Sequence, residues 1–183
     1  TEKNIVVDIP LTPDFATCKS CETELFDEKN PRYFYPFTTC TQCGPRYSIT
    51  KKFPFERENT AIEVFKMCPN CLAEYNNPDD VRFHSQTNSC PNCGIQIWLK
   101  DNQGNEFKGS NKEIFEKLAK ELSKGKIIAL KNTAGYLLMC DATNSEAVSE
   151  LRKRKRRPVF KTKIKKETKK KWIFPLYFRM GKG

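Results

Sequence analysis

The chain of 183 residues is 38% hydrophobic and 11% aromatic, enough to build folded cores and too apolar for a wholly disordered polymer. No apolar run approaches the roughly 18 residues that a membrane span needs, so no transmembrane segment is expected. The net charge of +11 sits at one end: residues 1–151 hold 18 Lys+Arg against 21 Asp+Glu, whereas residues 152–183 hold 15 against Glu167 alone, which argues against a basic nucleic-acid face on the body of the protein.

Residues 1–17 begin at Thr1 in place of a methionine, which suggests a piece of a longer protein. With Pro10, Pro13 and the short apolar run Ile5, Val6, Val7, Ile9, they read as a linker or edge strand. Residues 18–99 hold eight of the nine cysteines in the pattern C-x2-C-x18-C-x2-C, 24 residues, then the same pattern again, a repeat with a period of 50. The repeat reaches past the cysteines: Glu24 matches Glu74, Arg32 matches Arg82, Tyr33 matches Phe83 and Gly44 matches Gly94. Each Gly is expected at positive φ, turning backbone N–H groups toward the sulfurs.

Disulfides, an iron–sulfur cluster and redox-active pairs compete with metal for these thiols. Two C-x-x-C turns per unit supply one tetrahedral thiolate shell, so the expected ligands of two structural Zn2+ are Cys18, Cys21, Cys40 and Cys43, then Cys68, Cys71, Cys90 and Cys93. The repeat favours this sequential pairing over an interleaved one. A closed four-thiolate shell leaves no position for substrate, so no catalytic residue is assigned and the metals are expected to be scaffold. His84, the only histidine, has Phe34 as its counterpart and is therefore expected to be an ordinary hydrogen-bonded residue. Between the units, Thr60–Lys66 is predicted as a short helix capped by Thr60 that delivers Cys68.

Residues 100–109 form a polar connection, and the style then changes to α/β. Ser110-Asn111-Lys112-Glu113 is a capping box opening a helix that Gly125 stops. Residues 126–130 and 136–140 read as strands, and Thr143-x-x-Glu146 as a second capping box. Cys140 is expected to act as a small hydrophobe and Asp141 to lie at a strand end. Residues 158–183, with seven lysines between Lys161 and Lys171 and the aromatic run Trp172–Phe178, are expected to be a basic tail, disordered or out of frame. By charge alone it could bind RNA in a salt-sensitive way.

The cysteine spacing, with Arg32-Tyr33-Phe34-Tyr35-Pro36-Phe37-Thr38, Cys43-Gly44-Pro45-Arg46-Tyr47, Met67-Cys68, Glu74-Tyr75, Pro78 and Arg82-Phe83-His84, resembles the zinc-finger region of the HypF carbamoyltransferase family. Gly125–Pro158, with Cys140-Asp141-Ala142-Thr143-Asn144 and Leu151-Arg152-Lys153-Arg154-Lys155, is similar to the opening of that family's YrdC-like domain. The resemblance implies an α+β chain: tandem HypF-type fingers over 18–99, then a truncated α/β YrdC-like domain over 110–157. It implies a cytoplasmic parent that uses carbamoyl phosphate and ATP to carbamoylate the C-terminal cysteine of a HypE-like partner during [NiFe]-hydrogenase maturation. It also implies nucleotide-phosphate contacts at Lys155 and Arg157 and, more weakly, at Lys131, where Asn132-Thr133-Ala134-Gly135 replaces the family's glycine-rich turn. Without the acylphosphatase and transferase parts the chain is expected to be inactive alone. The rival reading from another class is a non-catalytic zinc-binding module with RNA or protein affinity.

Overall fold

A computed structural model describes residues 12–132 and 135–157. The sequence expectations for residues 1–11 and 158–183 lie outside these described residues. The chain divides into two compact units between Gly94 and Ile95.

In the first unit the two repeats fold alike. Helix α1 spans Lys19–Phe26 and α2 spans Pro69–Asn76, opened by Cys18 and Cys68 in extended conformations with nearly identical dihedral angles (φ −73°, ψ 166° and φ −70°, ψ 166°). Pro69 suits the first turn of α2, where its missing N–H costs no hydrogen bond. Each helix stops at a polar residue, Asp27 or Asn77, and the chain turns back so that the Phe34 N–H donates to the Leu25 carbonyl and the His84 N–H to that of Tyr75. Both turning residues sit in the left-handed region, Phe34 at φ 53° and His84 at φ 54°, a strain that the repeat reproduces faithfully. Hydrophobic burial here is slight: Tyr35 and Ile49 are the large apolar side chains within it, and the remaining buried apolar set consists of cysteines.

The predicted helix over Thr60–Lys66 is not formed. Thr60 pairs with Thr50 in an isolated β-bridge, and the segment closes through two successive turns, Glu63 N–H to Thr60 O (3.3 Å) and Phe65 N–H to Ile62 O (3.0 Å). Val64 in that stretch is exposed, so no apolar face rewards a helix. The glycine expectation is corrected as well. Gly44 does adopt φ +96°, but its N–H donates to the Phe15 carbonyl at 3.0 Å rather than to a sulfur. Gly94 does not have positive φ among the backbone outliers; a Cβ there would lie 2.1 Å from Tyr35 Oη, so the residue is small because Tyr35 fills its space.

The second unit begins with β1 (Leu99–Lys100) paired antiparallel to β2 (Glu106–Phe107), a short ladder within what the sequence reading treats as a polar connection. Asp101 accepts from the Gln103 and Asn105 N–H groups and tightens the turn between them. Helix α3 (Asn111–Ser123) opens on the expected capping box, with the Glu113 N–H donating to Ser110 Oγ and the Ser110 N–H to Glu113 Oε2. It ends where Gly125 takes φ +76° and the Lys126 N–H reaches back to the Glu121 carbonyl. Strands β3 (Ile128–Asn132) and β4 (Gly135–Met139) pair in antiparallel register from Ile128↔Met139 to Asn132↔Gly135.

Helix α4 (Ser145–Arg154) also departs from expectation at its start. Thr143 is not the cap: its hydroxyl donates to Asp141 Oδ1 at 2.7 Å, and Asn144 Oδ1 accepts from the Glu146 and Ala147 N–H groups. Once Asp141 has claimed the threonine hydroxyl, the next side chain with a carbonyl oxygen takes over. Among the described residues no helix is long and apolar enough to cross a membrane.

Candidate metal centres

Each quartet is assembled from one helical turn and one loop. The first residue of a C-x-x-C pair precedes α1 or α2 and the second lies inside it, which brings Cys18 with Cys21, and Cys68 with Cys71, to one helix end. The loop 27–39 then returns Cys40 and Cys43 to the first pair, and the loop 77–89 returns Cys90 and Cys93 to the second. Within each quartet all four sulfurs lie within 4.8 Å of one another. The pairing is sequential; no interleaved set forms among the described residues.

The spacing tests which chemistry fits. A disulfide would hold sulfurs at about 2.05 Å. Observed separations are 3.7 Å for Cys18–Cys40, 3.8 Å for Cys40–Cys43 and 3.7 Å for Cys21–Cys43. In the second quartet they are 3.7 Å for Cys68–Cys90, 3.7 Å for Cys90–Cys93 and 3.6 Å for Cys71–Cys93. A tetrahedron with bonds of about 2.3 Å from a central ion has edges of about 3.8 Å, so both quartets are compatible with one zinc ion each. Four thiols this close cannot all ionise unaided. The hydrogen bond between Cys21 and Cys43 raises the former thiol far above its ordinary value and draws the latter below it. A divalent cation is the group that would let all four be thiolates together.

Around the sulfurs lie ionic contacts that cross between the repeats. The Arg32 guanidinium grips Glu74 with both terminal nitrogens (2.8 and 2.5 Å), meets Asn88 Oδ1 at 3.0 Å and donates through Nε to the Ser89 carbonyl at 3.0 Å. Arg82 reciprocates, with Nη2 on Glu24 Oε2 (2.5 Å) and Nε on the Thr39 carbonyl (3.0 Å). Both arginine side chains are almost wholly buried. Burial alone would lower the Arg32 pKa, but the Glu74 carboxylate more than offsets it and holds Arg32 above the ordinary value. Burial likewise works against the Glu74 charge, and Arg32 with Asn88 still brings that carboxyl below its usual range. The repeat made these four residues visible in the sequence, though not that each pairs with its opposite number's partner. Asn88, fully buried and donating to both the Cys71 carbonyl and Glu74, was missed because Thr38 stands in its place in the first repeat.

His84 is exposed and packs edge-on against Tyr75 and Phe83, with ring centroids 5.1 and 4.2 Å away; it belongs to neither sulfur set. Cys140 is half-buried just past β4, apart from the quartets. Lys131 lies on β3 with its ammonium 4.9 Å from the Tyr136 ring centre, Lys155 is the exposed C-cap of α4, and Arg157 is exposed two residues beyond it.

The HypF finger family model matches residues 17–50 and 67–100, and the telomere recombination family model, which covers Sua5, YciO and YrdC proteins, matches residues 120–164. The carbamoyltransferase HypF of Rhodobacter capsulatus is 47% identical over 148 residues, 81% of this chain and 19% of that protein. The probable carbamoyltransferase HypF of Methanocaldococcus jannaschii is 43% identical over the same shares of each chain. The crystal structure of T. kodakarensis HypF superposes with a TM-score of 0.75 at 41% identity, covering 83% of this chain and 20% of that one. Full-length HypF in its phosphate- and nucleotide-bound form gives a TM-score of 0.70 at 41% identity. The chain thus spans about a fifth of the length of the curated relatives it matches.

Proposed function

Because this chain belongs to the HypF family, we propose that it supplies the zinc-bound scaffold and the opening of the nucleotide-binding domain of a HypF-type carbamoyltransferase. The observation that carries this reading is the pair of sulfur quartets at zinc spacing inside a region matched by HypF fingers in both repeats. Residues 18–99 form the tandem fingers, with Cys18, Cys21, Cys40 and Cys43 holding one Zn2+ and Cys68, Cys71, Cys90 and Cys93 the other. Residues 110–157 form the YrdC-like part.

The activity proposed for the whole enzyme is cytoplasmic and serves hydrogenase maturation. Carbamate released from carbamoyl phosphate attacks the α-phosphate of ATP, pyrophosphate leaves, and the carbamoyl group passes from the adenylate to the thiol of a C-terminal cysteine on a HypE-like partner. Four cysteines in each quartet would fill the coordination shell of a zinc ion and leave no open position for substrate, so these residues would serve to keep the two loops closed and ordered. Lys155 at the C-cap of α4, Arg157 just beyond it and Lys131 on β3 are the fixed positive charges proposed to meet nucleotide phosphates, arginine being able to bind two oxygens at once.

The test is a graft. Residues 17–94 replace the matching region of the R. capsulatus relative, and carbamoyl-phosphate-dependent ATP turnover is measured. The chimera is expected to retain turnover, and its Cys40→Ser/Cys43→Ser form to lose it together with one zinc. A folded chimera that holds two zinc ions and is inactive would overturn the scaffold reading.

A further inference from the structure

We propose that the two sulfur quartets take up metal as one cooperative unit, because the arginine in each repeat's loop organises the ligands of the other repeat. This rests on the zinc reading above and goes beyond it.

Arg32 lies in the loop between Cys21 and Cys40, so the first quartet closes the loop that carries it. Its guanidinium nevertheless serves the second quartet. It holds Glu74, on the helix that bears Cys71, and the Ser89 carbonyl and Asn88 side chain, just before Cys90. Its Nη2 also stands 3.6 Å from Cys71 Sγ, so the same guanidinium touches a ligand position directly. One planar fork therefore fastens both halves of the second ligand set to each other.

Arg82 lies in the loop between Cys71 and Cys90 and does the reverse. It joins Glu24, on the helix bearing Cys21, to the Thr39 carbonyl next to Cys40. A loop of this length without its closing ion is free to wander, and its arginine goes with it. Filling either quartet fixes one loop and delivers one arginine, which prepares the other quartet for its ion. Linkage makes the assistance mutual. Arg32 and Arg82 are positioning residues: neither is a ligand.

The experiment adds one equivalent of Zn2+ to the reduced, metal-free full chain and counts species by native mass spectrometry. For coupling of about a hundredfold, only about a tenth of the chains carry a single zinc at half saturation, the rest holding none or two. Independent equal sites would leave about half singly loaded, and independent unequal sites more; either result overturns the proposal.

Substitution gives a crossed signature. In Arg32→Met the singly loaded form should rise toward half, with its zinc in the first quartet, so that Cys68, Cys71, Cys90 and Cys93 are alkylated and Cys18, Cys21, Cys40 and Cys43 are protected. Arg82→Met should show the opposite protection. Damage to the quartet on the arginine's own repeat would mean a local structural role and would end the argument. A chain that takes up no zinc removes the metal reading itself, a result distinct from two zincs bound independently.

Discussion

Gly44 and Gly94 occupy the same place in the repeat, and space asks different things of them. At Gly44 the backbone turns to φ +96° and meets Phe15 in a two-way bridge; at Gly94 the side-chain position is taken by Tyr35 and Ser89. Gly94→Ala should therefore cost about 3 kcal/mol by overpacking. Gly104→Ala, at φ +91° with no atom within 4 Å of the new methyl, should cost only about 1–2 kcal/mol of backbone strain. Denaturant midpoints of the metal-loaded variants distinguish the two, and equal losses would show that Tyr35 can move aside. Buried charge behaves differently from exposed charge at the same scale. Arg32→Ala leaves Glu74 and Asn88 without their shared donor and is expected to destabilise by about 3 kcal/mol. Lys100→Ala, which breaks an exposed pair at 4.0 Å with Glu106, should change stability by less than about 0.5 kcal/mol in the same assay.

Helix ends set the next scale. Both α3 and α4 finish in paired backward hydrogen bonds around a left-handed residue, which is Gly125 in one and Arg156 (φ 50°) in the other. Arg156→Gly should raise stability by about 1 kcal/mol, measured by thermal unfolding, because glycine carries no side-chain penalty there. At the other end of α4, Asn144→Ala is expected to cost about 1 kcal/mol and Thr143→Ala clearly less, an order that follows from which side chain accepts the helix N–H groups. The last turn of α3 is fastened electrostatically. Lys124, then Lys126, hold the Glu121 carboxyl at about 2. Since the folded value lies below the unfolded value of about 4.3, the pair's contribution is complete above pH of about 4.3 and is lost as pH falls through about 2. Carboxyl carbon NMR should find that midpoint; titration near 4.3 would mean that the lysines do not hold the group.

At the scale of the molecule, the buried apolar residues of the first unit are mostly the cysteines themselves, so the metal proposed for the quartets would substitute for an apolar core. Chelation is accordingly expected to collapse amide protection throughout residues 18–94. The two sulfur quartets, the repeat, the capping box of α3 and its glycine stop were legible in the sequence because each depends on residues close together or on a fixed spacing. The short helix expected over Thr60–Lys66 failed because Thr60 was already engaged in a bridge to Thr50, and the cap of α4 shifted because Asp141 took the Thr143 hydroxyl. The Thr50 partner comes from outside the segment and leaves no local mark, whereas Asp141 stands close to Thr143 in sequence and outcompetes the helix for its hydroxyl. The sequence by itself determined that two four-sulfur centres exist and which family carries them, since spacing dictates what a short loop can bring together. Only the tertiary structure decided that Arg32 belongs with Glu74 and Arg82 with Glu24: a 50-residue repeat aligns like with like, whereas the two copies in contact exchange their partners.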